Sequence, residues 1–185
     1  LSRAVFDHTM LAFGTDGYFY ESFHYFGFAF RWMIRYFDVH WQTTGENLYV
    51  PMQSKFKRMK YFAMHSILPD GENVFDFADV GDGSLNRNKI SKRESLYGEY
   101  DIIYRFAGVY KDAEAQSIGE FIHRKTKLET REPMWAFLNY ETSVQAAPLS
   151  KIPRAVYFED NDTVFWRSSW DQNALAFAFR CAPPE

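Results

Sequence analysis

Apolar side chains recur at Phe19, Phe23, Phe26, Phe30, Ile34 and Phe37. These three- and four-residue steps stack on one face of an α-helix. The spacing predicts one long helix over 19–43, ended by Thr43-Thr44-Gly45. Aromatics also occupy its other faces, so it is expected to be buried on more than one side. A second helix is predicted over 48–67, from Leu48 through Phe56, Met59, Phe62 and Met64 to Ile67. Pro51 fits its first turn, where a missing N–H costs little. Pro69-Asp70-Gly71 then signals a turn. Residues 70–95 are rich in Gly, Asp and Asn and show no period. A loop of that length in a compact domain is more often functional than not. Helices resume at about 95–110 and 112–125, with a short one over 132–139.

The pattern changes after Asn139. A linker is read over 146–154. Three short, alternating, apolar or aromatic runs follow at 155–159, 164–168 and 174–180, with Asp160-Asn161-Asp162 and Asp171-Gln172-Asn173 as turns between them. This is the signature of an antiparallel meander. The expected class is therefore mainly α with a C-terminal β portion, divided as 1–145, 146–154 and 155–185. The chain opens on Leu1, not Met, and its strands stop at Pro183-Pro184-Glu185. Three strands are few for a sheet domain. The sequence reads as an internal segment of a longer protein.

Composition narrows the function classes. The chain holds 185 residues, with 19 Phe, 12 Tyr and 5 Trp, enough aromatic surface for a large core. Most of these rings are read as core, and a minority of Tyr and Trp as candidates for stacking on sugars. Net charge is −3 with signs interspersed, which argues against a nucleic-acid partner. The densest basic run, Lys55-Phe56-Lys57-Arg58-Met59-Lys60, is expected to form a solvated helix face, or less simply to face an acidic polymer. His24, Arg31 and Arg35 interrupt the apolar run 23–37, so no membrane span is expected. A lone cysteine, Cys181, leaves no disulfide framework and no thiolate metal site.

Two stretches carry a resemblance. The first is Asp16-Gly17-Tyr18-Phe19-Tyr20-Glu21-Ser22-Phe23-His24-Tyr25, an Asp-Gly turn, a Glu, and a Tyr four residues beyond it. The second is Tyr157-Phe158-Glu159-Asp160-Asn161-Asp162-Thr163-Val164-Phe165-Trp166-Arg167-Ser168-Ser169-Trp170. Together and in this order they resemble the heparinase II/III type of polysaccharide lyase and its alginate-lyase and glycosaminoglycan-epimerase relatives. The resemblance implies the C-terminal part of an (α/α) toroid followed by the first strands of an antiparallel β-sandwich. It implies β-elimination on a uronic-acid polysaccharide, in the periplasm or outside a bacterial cell. Relatives carry an asparagine–histidine pair on an earlier helix and a histidine-rich segment after the next strand. Both would fall outside residues 1–185, so this segment alone is expected to be inactive. No cofactor is expected within it, with Zn or Ca²⁺ in the complete enzyme left open. The implied partner is an acidic polysaccharide, and oligomeric state is unknown.

A uronate lyase removes the proton next to a carboxylate and expels the sugar oxygen one carbon further on. One tyrosine can serve as base and then acid when positive groups lower its phenol pKa. By resemblance Tyr25 is that residue, with Glu21, His24 and Tyr20 at the substrate and Arg167 as a further binding candidate. Glu21, at i−4, is expected on the same helical face. Against this stands the plain reading that a Tyr in so aromatic a helix is a core residue. Arg167, in a strand start, is otherwise expected in a domain-interface salt bridge. The carboxylates of 76–84 suggest a cleft loop or an oxygen-rich Ca²⁺ site without EF-hand spacing. His40, His65 and His123 show no ligand spacing. Three alternatives stay open. One is a uronate epimerase, one a non-catalytic helical carbohydrate-binding module. The third is an inverting toroid glycosidase pairing Glu21 with Asp79 or Asp82 at about 6.5–9.5 Å.

Overall fold

The computed structural model describes residues 2–10, 14–19, 21, 23–71, 73–75, 77, 100–125 and 133–181. The described chain is mainly helical and ends in a small antiparallel sheet. Helices α1 (Ser2–Thr9), α2 (Phe23–Thr44), α3 (Tyr49–Ser66), α4 (Tyr100–Tyr110), α5 (Ala113–Lys125) and α6 (Pro133–Asn139) precede strands β1 (Ala155–Phe158), β2 (Thr163–Arg167) and β3 (Ala176–Arg180). No described helix is long and apolar enough to cross a membrane.

The predicted apolar row of α2 is buried: Phe23, Phe26, Phe30, Ile34 and Phe37 all face the core. Phe19 belongs to that core too, but as irregular chain ahead of the helix. The helix therefore starts at Phe23, not at residue 19. Periodicity identified the buried side chain and misassigned its backbone. At the far end Gly45, with φ +79°, takes the left-handed conformation that closes a helix, its N–H donating to the Trp41 carbonyl. Phe56 of α3 stacks on Phe106 of α4 at 4.8 Å and meets Phe30 of α2 at 5.7 Å, so the three helices share one aromatic centre. A polar tie lies beside it: Tyr49 Oη and Arg105 Nε both donate to the Asp38 carboxylate, at 2.9 and 3.0 Å. Asp112 caps α5 by accepting the Glu114 and Ala115 N–H groups.

The basic run of α3 is solvated only in part: Arg58 is exposed, Lys55 and Lys57 are half-buried, and Lys60 leaves the surface. Lys60 is buried and pairs with Asp112 at 2.7 Å and Glu114 at 3.0 Å, tying α3 to the start of α5. Lys55 donates to the Met10 carbonyl, and Arg58 reaches across to the sheet. A buried ammonium is tolerated only when paired, which both carboxylates here supply.

In the sheet β2 lies between β1 and β3, with Val156 opposite Phe165 and Phe165 opposite Ala178. Alternation sends Val156, Phe158, Thr163, Phe165 and Arg167 inward. Phe158 and Phe165 both pack against Phe62 of α3, so strand and helix residues share a core. The opposite face leaves Tyr157, Trp166, Phe177 and Phe179 exposed.

Candidate functional site

The corner ahead of α2 is built by a short polar turn. The Asp16 side chain accepts the Tyr18 N–H at 3.0 Å, an Asx turn. Gly17 follows with φ +87°, and a Cβ there would lie 2.7 Å from the Met59 backbone nitrogen and 2.8 Å from the Lys55 carbonyl oxygen. Only glycine lets this corner rest directly on α3. Tyr18 then inserts between Phe62 and Phe158, and Phe19 against Phe26 and Phe30.

The same corner meets the β1–β2 turn, a 3-10 turn at Glu159–Asn161. Asp160 accepts hydrogen bonds from the backbone N–H of Thr15, the Thr15 hydroxyl and the Asp16 N–H, the last at 3.1 Å across 144 residues of sequence. Asp16 returns the contact by accepting the Asp160 N–H at 3.1 Å. Arg58 of α3 completes the brace, donating Nε–H to the Asp16 carbonyl and Nη2–H to the Tyr157 carbonyl, both at 2.9 Å. Burial pushes the Asp160 carboxyl up, but hydrogen bonds from Asp16 and Thr15 outweigh it and hold the group below its ordinary value.

Tyr25 stands on the first turn of α2, half-buried, with its ring against the core. Glu21 is exposed and lies two residues before the helix. The two therefore do not share a helical face, because the braced corner keeps residues 18 and 19 out of helical conformation. Tyr20 and the His24 side chain lie outside the described residues, as does the acidic stretch 76–84 apart from Phe77.

Arg167 is 2% exposed and sits where the sheet meets the end of α3. Its Nη2 donates to the carbonyls of Met64 at 3.5 Å, His65 at 3.2 Å and Ile67 at 2.7 Å. The Met64 and His65 carbonyls have no partner inside the helix and lie at the negative end of its dipole, and Ile67 is the extended residue that follows it. The expected salt bridge is thus replaced, among the described residues, by a cation on backbone oxygens. Its guanidinium lies 4.6 Å from the Trp170 ring centroid. Burial lowers its pKa to about 10, so it stays charged near neutrality. His65, fully buried beside it, hydrogen-bonds through Nε2 to the Pro153 carbonyl at 3.0 Å. A carbonyl only accepts, so this contact assigns the proton to Nε2. Burial, then the neighbouring Arg167, push the His65 pKa down to about 3.

Two further histidines serve local contacts. His40 bonds Glu46 at 2.9 Å, and His123 stacks on Tyr100 at 4.3 Å. His123, Tyr100, Tyr104, Phe137 and Tyr140 wall a cavity of about 410 Å³, an aromatic-lined feature that no single motif announced. Among the described residues no His, Cys, Asp or Glu group is arranged to hold a metal ion. The chain matches no family model and no curated protein.

Proposed function

We propose that this chain is the Tyr25-bearing part of a polysaccharide lyase of the heparinase II/III type, cleaving a uronic-acid polymer by β-elimination. One observation carries the reading. The two segments with the family's motifs, the Asp16-Gly17 corner and the Glu159–Asn161 turn, are bonded to each other reciprocally across 144 residues of sequence. Two segments that serve one site must lie together in space, and this contact supports the reading on that ground. Here they meet at the corner that leads into α2, a few residues before Tyr25.

In this reading the brace fixes the start of α2, and with it the position of the Tyr25 phenol. The phenolate takes the proton next to the substrate carboxylate and returns it to the leaving sugar oxygen. Glu21, exposed at the approach to the helix, binds a sugar hydroxyl, and Tyr20 and His24 are the further substrate-binding candidates. Arg167 serves the site from behind by holding the sheet on α3. The helices are part of an (α/α) toroid, and the sheet is one layer of a β-sandwich. The exposed row Tyr157, Trp166, Phe177 and Phe179 supports that layer assignment, since a contiguous apolar sheet face suits a second layer.

The test is chemical. The full-length protein is incubated with alginate and with unsulfated and sulfated glycosaminoglycans, and the ultraviolet absorbance of a 4,5-unsaturated uronate is followed. Its appearance supports lyase action. Exchange of the proton next to the carboxylate without an unsaturated product would make the enzyme an epimerase. Neither change on any of these polymers would leave a non-catalytic module.

A further inference from the structure

A second surface feature lies beside Arg167 and Trp170. The 3-10 turn Leu149–Lys151, the chain entering β1 and the turn after β2 enclose a cavity of about 500 Å³. That is within the roughly 300–1,000 Å³ of small-ligand sites. Its walls include Ser150, Lys151, Pro153, Arg154, Ser169 and Trp170.

Two cations face this space in a chain of net charge −3. Both are exposed, and the ion pairs of the described residues involve neither. Arg154 is not a loose side chain, because its Nη1 donates to the Ser168 carbonyl at 2.6 Å. That bond positions the guanidinium and leaves its other N–H groups for a planar anion. The nearby acid, Asp171, accepts the Ser169 hydroxyl at 2.8 Å. The Trp170 ring is a rigid wall, held by Arg167 on its face, by His65 at 5.2 Å and by Phe121 at 5.7 Å. Trp170 gives the cavity an apolar wall for a sugar ring, and two cations outside the ion pairs of the described residues suit a carboxylate or sulfate on it. A nucleic acid would require a longer basic track than two residues.

We propose that this cavity binds a carboxylated or sulfated sugar residue of an acidic saccharide, at a site separate from Tyr25. It is a binding site and needs no catalysis by Tyr25. The lyase reading is judged by turnover and this one by affinity, so either can fail alone.

The experiment is calorimetric titration of the full-length protein with three probes: a hexuronate tetrasaccharide, a neutral tetrasaccharide and inorganic sulfate. The hexuronate is expected to bind about tenfold or more tightly than either control, because a charged hydrogen bond is lost in one and the ring contact in the other. Lys151→Glu is expected to weaken hexuronate binding about tenfold, and Arg154→Gln by a similar factor, with unchanged circular dichroism. Lys151 is exposed, so its variant decides the matter even if Arg154→Gln loosens the turn. Equal affinity for the neutral saccharide would overturn the proposal. So would sulfate binding as tightly as the hexuronate, or Lys151→Glu leaving hexuronate affinity unchanged.

Discussion

The sheet is fastened to the helices at two places that solve the problem in opposite ways. At one end of β1, Asp16, Asp160 and Arg58 form an exposed brace of carboxylate, backbone N–H and guanidinium groups. Near the end of β2, Arg167 is sunk under Trp170 with its charge on the last carbonyls of α3, beside a buried neutral His65. Water competes for every bond of the first junction and for none of the second. The buried junction should therefore dominate stability, while the exposed one positions the corner ahead of Tyr25. On the proposed reading, the chain separates holding the fold from aiming Tyr25.

The largest effect is expected at the buried junction. Arg167→Leu leaves several α3 carbonyls without a donor in an apolar setting and should cost about 3–4 kcal/mol, read from the urea midpoint. Arg167→Lys should recover less than half, because one ammonium lacks the guanidinium's spread of donors. An unchanged midpoint in Arg167→Leu would equalise the two junctions. Next comes Gly17→Ala, which combines a left-handed φ of +87° with a Cβ contact of 2.7 Å to α3 backbone. It should cost about 2 kcal/mol or more, and its thermal midpoint checks this.

The two junctions should also respond to different acidities. His65 has its pKa lowered from 6.5 to about 3 in the fold. Its contribution is complete above the unfolded value and is lost as pH falls through the window from 6.5 towards 3, where the unfolded chain binds the extra proton. Within that window the wild-type unfolding constant should rise by up to about tenfold per pH unit from this group, and His65→Gln should flatten the slope. Asp160 gives the smallest effect, because it is exposed. Its pKa also lies below the ordinary carboxylate value, so its contribution is lost only as pH falls through its lowered folded value, below about 4. Asp160→Asn should lower stability between pH 5 and 7 by only a small amount and remove the matching loss in stronger acid. A large neutral-pH loss in that variant would make the exposed brace a stability element after all.

Long-period features of this fold were legible in sequence, because one residue's neighbours on a helix or strand are set by local geometry. The row from Phe23 to Phe37, the row from Phe56 to Ile67 and the alternation of Val156, Phe158 and Phe165 all identify buried faces. Three other features were not. Helix α1, at Ser2–Thr9, is too short for its pattern to stand out. The start of α2 follows a corner in which Gly17 rests on α3, a tertiary contact, and Glu21 lies ahead of the helix. Lys60 reads as part of a solvated face and Arg167 as a substrate-binding or salt-bridge residue, since nothing local reveals that their partners lie about 50 and about 100 residues away. Of the candidate site, the Asp-Gly corner and Tyr25 were legible as motif. That the second motif would close on the first was not, because hydrogen bonds to backbone N–H groups leave no trace in residue identity.

The central claim is that Tyr25 performs the proton transfer at a site positioned by the braced corner. Its most direct measurement is turnover of Tyr25→Phe in the full-length protein, on whichever uronate polymer the wild type degrades, with circular dichroism to confirm folding. A loss of about 10²–10⁴-fold in kcat with little change in KM is the predicted result. Near-native turnover in a folded Tyr25→Phe protein would contradict the account and return Tyr25 to the core.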